Sequence, residues 1–171
     1  MSELKQYIRD IPDFPKKGIL FKDITTLIGD GGAFGKVVDG FVQRYKDKGI
    51  SKVVAAEARG FIFGGAVAHG LGAAFVPVRK KGKLPYKTIE ASYELEYGTD
   101  TVYMHEDAIV EGEKALILDD LLATGGTAKA ICELVEKLKG DIYEVAFMIE
   151  LSFLNGREKL KDYNIFSLIT Y

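Results

Sequence analysis

Asp119 and Asp120 stand side by side after an apolar run and two leucines ahead of a glycine-rich turn, in residues 114–129, KALILDDLLATGGTAK. Adjacent carboxylates repel, so a partner from elsewhere must offset them. In Ala123, Thr124, Gly125, Gly126 and Thr127, glycines let backbone N–H groups converge and two hydroxyls add donors. At a helix N-terminus this is a monophosphate cradle. Carboxylates accept hydrogen bonds from vicinal hydroxyls and stabilise positive charge growing on a ribose ring. Acids and cradle at this spacing therefore suit a phosphorylated sugar. A capped helix with solvated acids explains the acids alone, but not their coupling to the turn. No Gly-Lys-Ser/Thr follows four spacer residues, so triphosphate binding has little support, and GDGGAF at 29–34 lacks the last glycine of a dinucleotide loop.

The elements that position these residues alternate between strand and helix. SELKQYIRD reads as a short helix ended by Pro12 and Pro15, and DFPKKGILFKDIT as irregular. Phe34, Val37, Val38, Phe41, Val42 and Tyr45 form one helical stripe, closed by Gly49. SKVVAAEA and AAFVPVRK read as strands around a glycine-rich helix, RGFIFGGAVAHGLG. ASYELEY and DTVYMHED alternate as a hairpin across Gly98. KALILDD is a buried parallel-type strand, followed by a helix bearing Ile131, Leu134, Val135 and Leu138 and stopped at Gly140. DIYEVAFMIEL, a short NGREKL helix and IFSLITY follow. The pattern predicts an α/β fold: an open, mostly parallel sheet with helices on its faces and an added hairpin. Ligands of such sheets bind beyond the carboxyl ends of the strands, where the paired acids lie.

At 171 residues, the chain is long enough for one domain with a real core. Lys+Arg 23 against Asp+Glu 25 leaves a net charge of −2, so no basic field advertises nucleic acid. A single cysteine, Cys132, excludes an internal disulfide and suits a reducing cytoplasm. No window approaches a membrane span, and the first residues lack a signal-peptide core. His69 and His105, without paired spacing, offer no protein zinc site.

LILDDLLATGGT resembles the phosphoribosyl-pyrophosphate signature of type I phosphoribosyltransferases, in the form of the adenine-using branch. DFPKKGILFKDIT, EARGFIFG, VRKKGKLP, ASYELEYG and ELSFLNGREKL resemble the same family in the same order, so the likeness spans essentially the whole chain. It implies a Rossmann-like core in one domain, 1–171, with a hood built from the N-terminal segment and the 80–106 loop and hairpin. The implied reaction is adenine plus 5-phosphoribosyl 1-pyrophosphate (PRPP) giving AMP and pyrophosphate, through an oxocarbenium-like centre.

By resemblance, Asp119 and Asp120 take the ribose hydroxyls and Ala123, Thr124, Gly125, Gly126 and Thr127 the 5′-phosphate. Arg59 meets the pyrophosphate, next to a cis peptide between Glu57 and Ala58; Ala58 replaces a common serine. Arg79, Lys80 and Lys83 add charge, and the segment's arginine reaching a neighbouring subunit implies a homodimer. Mg²⁺ is implied as cofactor, held mainly by pyrophosphate oxygens rather than directly by protein. Glu96, beside Tyr97 in the hood, handles the proton near the purine imidazole. Phe21 stacks on the base, Leu20 and Lys22 offer backbone groups to its edge, and Leu151 covers its other face. Each has a plainer local reading: a strand-end salt bridge for Arg59, a solvated loop for the lysines, a hairpin acid for Glu96, core packing for Phe21 and Leu151. A 6-oxopurine enzyme of the same family, or a PRPP-binding regulator, are the competing functions.

Overall fold

The computed structural model describes residues 2–94 and 98–171. After a 3-10 helix, Ser2–Tyr7, strands β1 (Arg9–Pro12) and β2 (Leu20–Asp23) pair antiparallel. Helices α1 (Thr25–Ile28) and α2 (Gly31–Tyr45) lead into β3 (Lys52–Ala56), α3 (Arg59–Leu71) and β4 (Ala74–Val78). The hairpin β5 (Thr88–Glu94) and β6 (Thr99–His105) precedes β7 (Lys114–Leu122), α4 (Gly126–Lys137), β8 (Asp141–Glu150) and β9 (Ile165–Thr170).

The central sheet runs β4-β3-β7-β8-β9, with every neighbouring pair parallel. Strands β3, β7 and β8 are largely buried on both faces, which is why they read as nearly continuous apolar runs. Alternate residues divide between two clusters. Val54, Ile117 and Phe147 pack with Ile131, Leu134 and Val135 of α4 and with the β5–β6 hairpin. Val53, Leu116 and Met148 pack with Val37 and Phe41 of α2 and Phe63 and Val67 of α3. Helices therefore cover both faces, as expected, with the hairpin added on the α4 side.

The differences are local. The first helix stops at Tyr7, and residues read as its end and as an irregular segment form β1 and β2. Pro12 is tolerated because β1 belongs to a two-stranded sheet and not to a central position. The GDGGAF run is a helix cap: the Asp30 carboxylate accepts from the Ala33 N–H at 2.8 Å. Helix α2 ends at Tyr45 rather than Gly49, and α4 gives way to a left-handed Lys139 ahead of Gly140.

Candidate active site

Strand order places β3 and β7 side by side although β4 and the β5–β6 hairpin intervene between them in sequence. This is the switch point of an open α/β sheet, where connections leave in opposite directions and a crevice opens. Pairing of β7 with β3 ends at Ile117, while β7 continues to Leu122 alongside β8. Asp119 and Asp120 lie on that overhang. From β3 the chain passes through a cis Glu57–Ala58 peptide, as expected, and enters α3 at Arg59.

Arg59 Nε donates to Asp120 Oδ2 at 2.6 Å, and the Asp120 N–H donates to Asp119 Oδ1 at 2.9 Å. Gly60 makes this approach possible, since a Cβ there would lie 2.7 Å from Asp119 Oδ1. Burial first, and then the Asp120 charge, push the Asp119 carboxyl well above its ordinary value.

Glu57 gathers the basic wall. Its Oε2 accepts from Arg79 Nε and Nη2 at 3.0 and 2.8 Å, and its Oε1 from the Lys80 N–H at 2.6 Å. Burial pushes Glu57 up, but the Lys80 amide and Arg79 outweigh it and hold the carboxyl below its usual range. The Lys80 ammonium reaches the hairpin, donating to Asp100 and, at 3.2 Å, to the Tyr93 hydroxyl. Tyr93 and Asp100 are cross-strand partners, and Tyr93 also donates to Asp100 at 3.1 Å. Burial lowers Lys80, yet Asp100 and Tyr93 outweigh it and keep the ammonium above its ordinary value. The bond from Lys80 in turn holds Asp100 low. Arg59, Arg79, Lys80, Asp119, Asp120 and Thr127 all face one cavity of about 410 Å³.

A smaller recess of about 80 Å³ adjoins it, lined by residues 123–127. Gly125 adopts φ +78°, left-handed backbone that favours glycine, and α4 starts at Gly126 with its first N–H groups unspent within the helix. The turn rests backbone-to-backbone on Gly156. A Cβ on Gly156 would come closer than 3.0 Å to the Ala123 carbonyl oxygen and 2.8 Å from Leu122 Cδ1. The Gly156 turn is itself pinned by Arg157, whose Nε and Nη2 donate to the buried Glu150 at 2.7 Å each.

The residues expected at a base stand apart from this cavity. Phe21 meets it only through Arg59, whose guanidinium carbon lies 5.6 Å from the ring centroid, with Phe14 edge-on at 5.1 Å. Leu20 is 48% exposed. The Lys22 ammonium turns away to Asp10 Oδ1 at 2.6 Å. Leu151 is partly buried against the α2–α3 side, its N–H donating to the Leu122 carbonyl at 3.0 Å. Lys83 is exposed and joins the basic wall through its carbonyl, which accepts from Arg79 Nη1 at 3.3 Å. Glu96 lies outside the described residues, as does Tyr97.

Sequence reasoning missed Glu57, Tyr93, Asp100 and Gly156. Tyr93 and Asp100 belong to the hairpin that was read, but alternation does not fix the register that pairs them. Glu57 and Gly156 act through segments distant in sequence, and nothing local marks them.

Residues 26–170 match the model of the phosphoribosyl transferase domain family. The chain is 58% identical over 171 residues to the adenine phosphoribosyltransferase of Geobacter metallireducens, with all of both chains covered. Its structure is similar to that of adenine phosphoribosyltransferase from Thermoanaerobacter pseudethanolicus, with a TM-score of 0.96, 51% identity and 99% and 98% of the two chains covered. The Saccharomyces cerevisiae enzyme of that name, complexed with an imino-altritol bisphosphate and adenine, matches with a TM-score of 0.93 and 43% identity over 97% of this chain and 96% of its own.

Proposed function

Because the chain belongs to the phosphoribosyl transferase domain family, we propose that it transfers the phosphoribosyl group of PRPP to adenine, giving AMP and pyrophosphate in purine salvage. One observation carries the reading: paired acids, a phosphate-type turn and three cations, drawn from separate segments, converge on the crevice between β3 and β7. The turn at 123–127 takes the 5′-phosphate on backbone N–H groups and the hydroxyls of Thr124 and Thr127. Asp119 and Asp120 accept from the ribose hydroxyls and stabilise positive charge as the anomeric bond lengthens. Arg59, Arg79 and Lys80 take the departing pyrophosphate, with Lys83 at the outer rim.

Adenine lies at the rim beside Phe21. Leu20 and Lys22 present backbone groups to its edge and Leu151 closes the other face. A backbone carbonyl accepts from a 6-amino group, whereas a 6-oxo group there leaves a mismatched pair worth about 1–3 kcal/mol. Glu96 handles the purine proton, and a hood of β1–β2 and β5–β6 excludes water from the ribosyl cation. The lining suits Mg²⁺ held mainly by pyrophosphate oxygens, since Asp119 and Asp120 put hard oxygen atoms in the same cavity as Arg59, Arg79 and Lys80. When bound, the ion neutralises leaving-group charge. The proposal extends to a homodimer, measurable by light scattering, in the cytoplasm. Among the described residues no helix is long and apolar enough to cross a membrane.

The test is a competition. The protein receives Mg²⁺, PRPP and equimolar adenine, hypoxanthine, guanine and xanthine. AMP is expected as the dominant nucleotide. IMP, GMP or XMP in its place refutes the base assignment, and absence of any nucleotide from folded protein refutes the transferase reading.

A further inference from the structure

Tyr171 touches both segments assigned to the base. Its main chain holds one of them: the N–H donates to the Glu150 carbonyl at 2.9 Å, and its carbonyl accepts from the Ser152 N–H at 3.0 Å and Ser152 Oγ at 2.6 Å. That fixes the chain on either side of Leu151. Its ring holds the other. The Lys22 ammonium of β2 lies 4.0 Å from the ring centroid and the Lys5 ammonium 4.4 Å. Lys5 also donates to the Thr170 carbonyl at 2.6 Å, and Asp10 of β1 balances the charge of Lys22. The Lys22 side chain is only 9% exposed, a setting in which a cation over an aromatic face is held more tightly than in water.

The β1–β2 pair joins neither of the other sheets through strand pairing. A lone two-stranded pair is marginal and takes its place from side-chain contacts. Ile8 and Ile24 bury its flanks in the core, and Tyr171 meets it at Lys22, the residue after Phe21. We infer that Tyr171 is a positioning residue for the base site: it sets the separation between β2, with Phe21, and Leu151. This rests on the assignment of adenine to that gap. It predicts that the ring of Tyr171 governs adenine affinity, while PRPP binding, built on β3, β7 and the 123–127 turn, is independent of it.

The experiment compares Tyr171→Leu and Tyr171→Phe with the unaltered protein in steady-state AMP formation. Both substitutions keep the main-chain bonds to Glu150 and Ser152, and only leucine removes the aromatic face. Tyr171→Leu is expected to raise KM for adenine about tenfold, with kcat and KM for PRPP within twofold, and Tyr171→Phe to restore the original KM. Lys5→Met, which withdraws one of the two ammoniums, is expected to move KM for adenine the same way by a smaller factor. It decides the matter alone if Tyr171→Leu does not fold. An adenine KM within twofold in Tyr171→Leu, equal effects of leucine and phenylalanine, or an equal rise in KM for PRPP overturns the inference. An unaltered protein that forms no AMP overturns instead the functional reading on which it rests.

Discussion

Gly156→Ala tests whether the phosphate turn depends on its underlying support. The new methyl carbon would lie closer than 3.0 Å to the Ala123 carbonyl oxygen, whereas ordinary contact begins at 3.4 Å. One backbone must therefore retreat by more than 0.4 Å (3.4 less 3.0 Å). The Gly156 turn has little freedom, because Arg157 anchors it twice to the buried Glu150. The 123–127 turn should yield. A misplacement of about 1 Å at a reacting group costs on the order of 10²-fold in rate, so a shift of more than 0.4 Å predicts a loss of about tenfold or more. Initial rates against PRPP at saturating adenine should show kcat/KM for PRPP down by about ten- to a hundredfold, with KM for adenine within threefold. Overpacking costs about 1–3 kcal/mol, a fall in Tm of about 2–12 °C in a domain of this size, so rates are taken well below the transition. Gly35→Ala in α2 is the control, since its Cβ meets nothing within 4 Å. A folded Gly156→Ala protein with kcat/KM for PRPP within twofold of the original refutes the reasoning.

Asp119→Asn should abolish AMP formation yet stabilise the unliganded protein increasingly as pH rises above the ordinary carboxyl value. The folded carboxyl titrates well above its ordinary value of 3.8, so folded chains hold a proton that unfolded chains have lost. Stability from this group is present below that ordinary value and falls as pH rises through the raised one. Melting curves from pH 4 to 8 should decline less for Asp119→Asn than for the original; parallel curves refute this. Lys80→Met removes a cation from the pyrophosphate position and should raise KM for PRPP about ten- to a hundredfold, with KM for adenine moving less than threefold. Arg44→Met, remote from the site, should lower stability by about 2 kcal/mol in denaturant titration without changing AMP formation per folded molecule. It leaves the largely buried Glu144 with only Tyr45 as a described partner, and the figure is discounted because the Arg44 side chain is 40% exposed.

The sheet and α4 were legible because burial writes a local pattern. Strands β3, β7 and β8 are enclosed on both faces and so read as apolar runs, while Ile131, Leu134 and Val135 repeat at helical spacing. Strands β1 and β2 left no such pattern: four residues each, mostly exposed or half-buried, they are defined by each other across a seven-residue connection. The acids were read as the end of β7, but the strand continues because the ten-residue β8 offers Ile149 and Glu150 as partners to Leu121 and Leu122. The phosphate turn and the paired acids are contiguous, so their chemistry is visible in one stretch of chain. Glu57 beneath Arg79, and Gly156 beneath Ala123, belong to contacts between segments and become visible only when the chain is folded.

The charges of the cavity are arranged for exchange rather than left open. Arg59 is spent on Asp120, Arg79 on Glu57, and Lys80 on Asp100 and Tyr93. The acids Asp120 and Glu57 are the more buried partners and would be costly unpaired, so these pairs hold Arg59 and Arg79 at the cavity. On the proposed reading, the Arg59–Asp120 pair must open for Asp120 to reach a ribose hydroxyl. Opening it without compensation leaves a carboxylate that is 9% exposed beside Asp119, whose carboxyl burial and that neighbour already push upward. PRPP compensates both sides at once: its pyrophosphate accepts from Arg59 while its hydroxyls donate to Asp120. On the same reading, a sugar phosphate lacking the pyrophosphate repays only half of this cost and is expected to bind more weakly than PRPP.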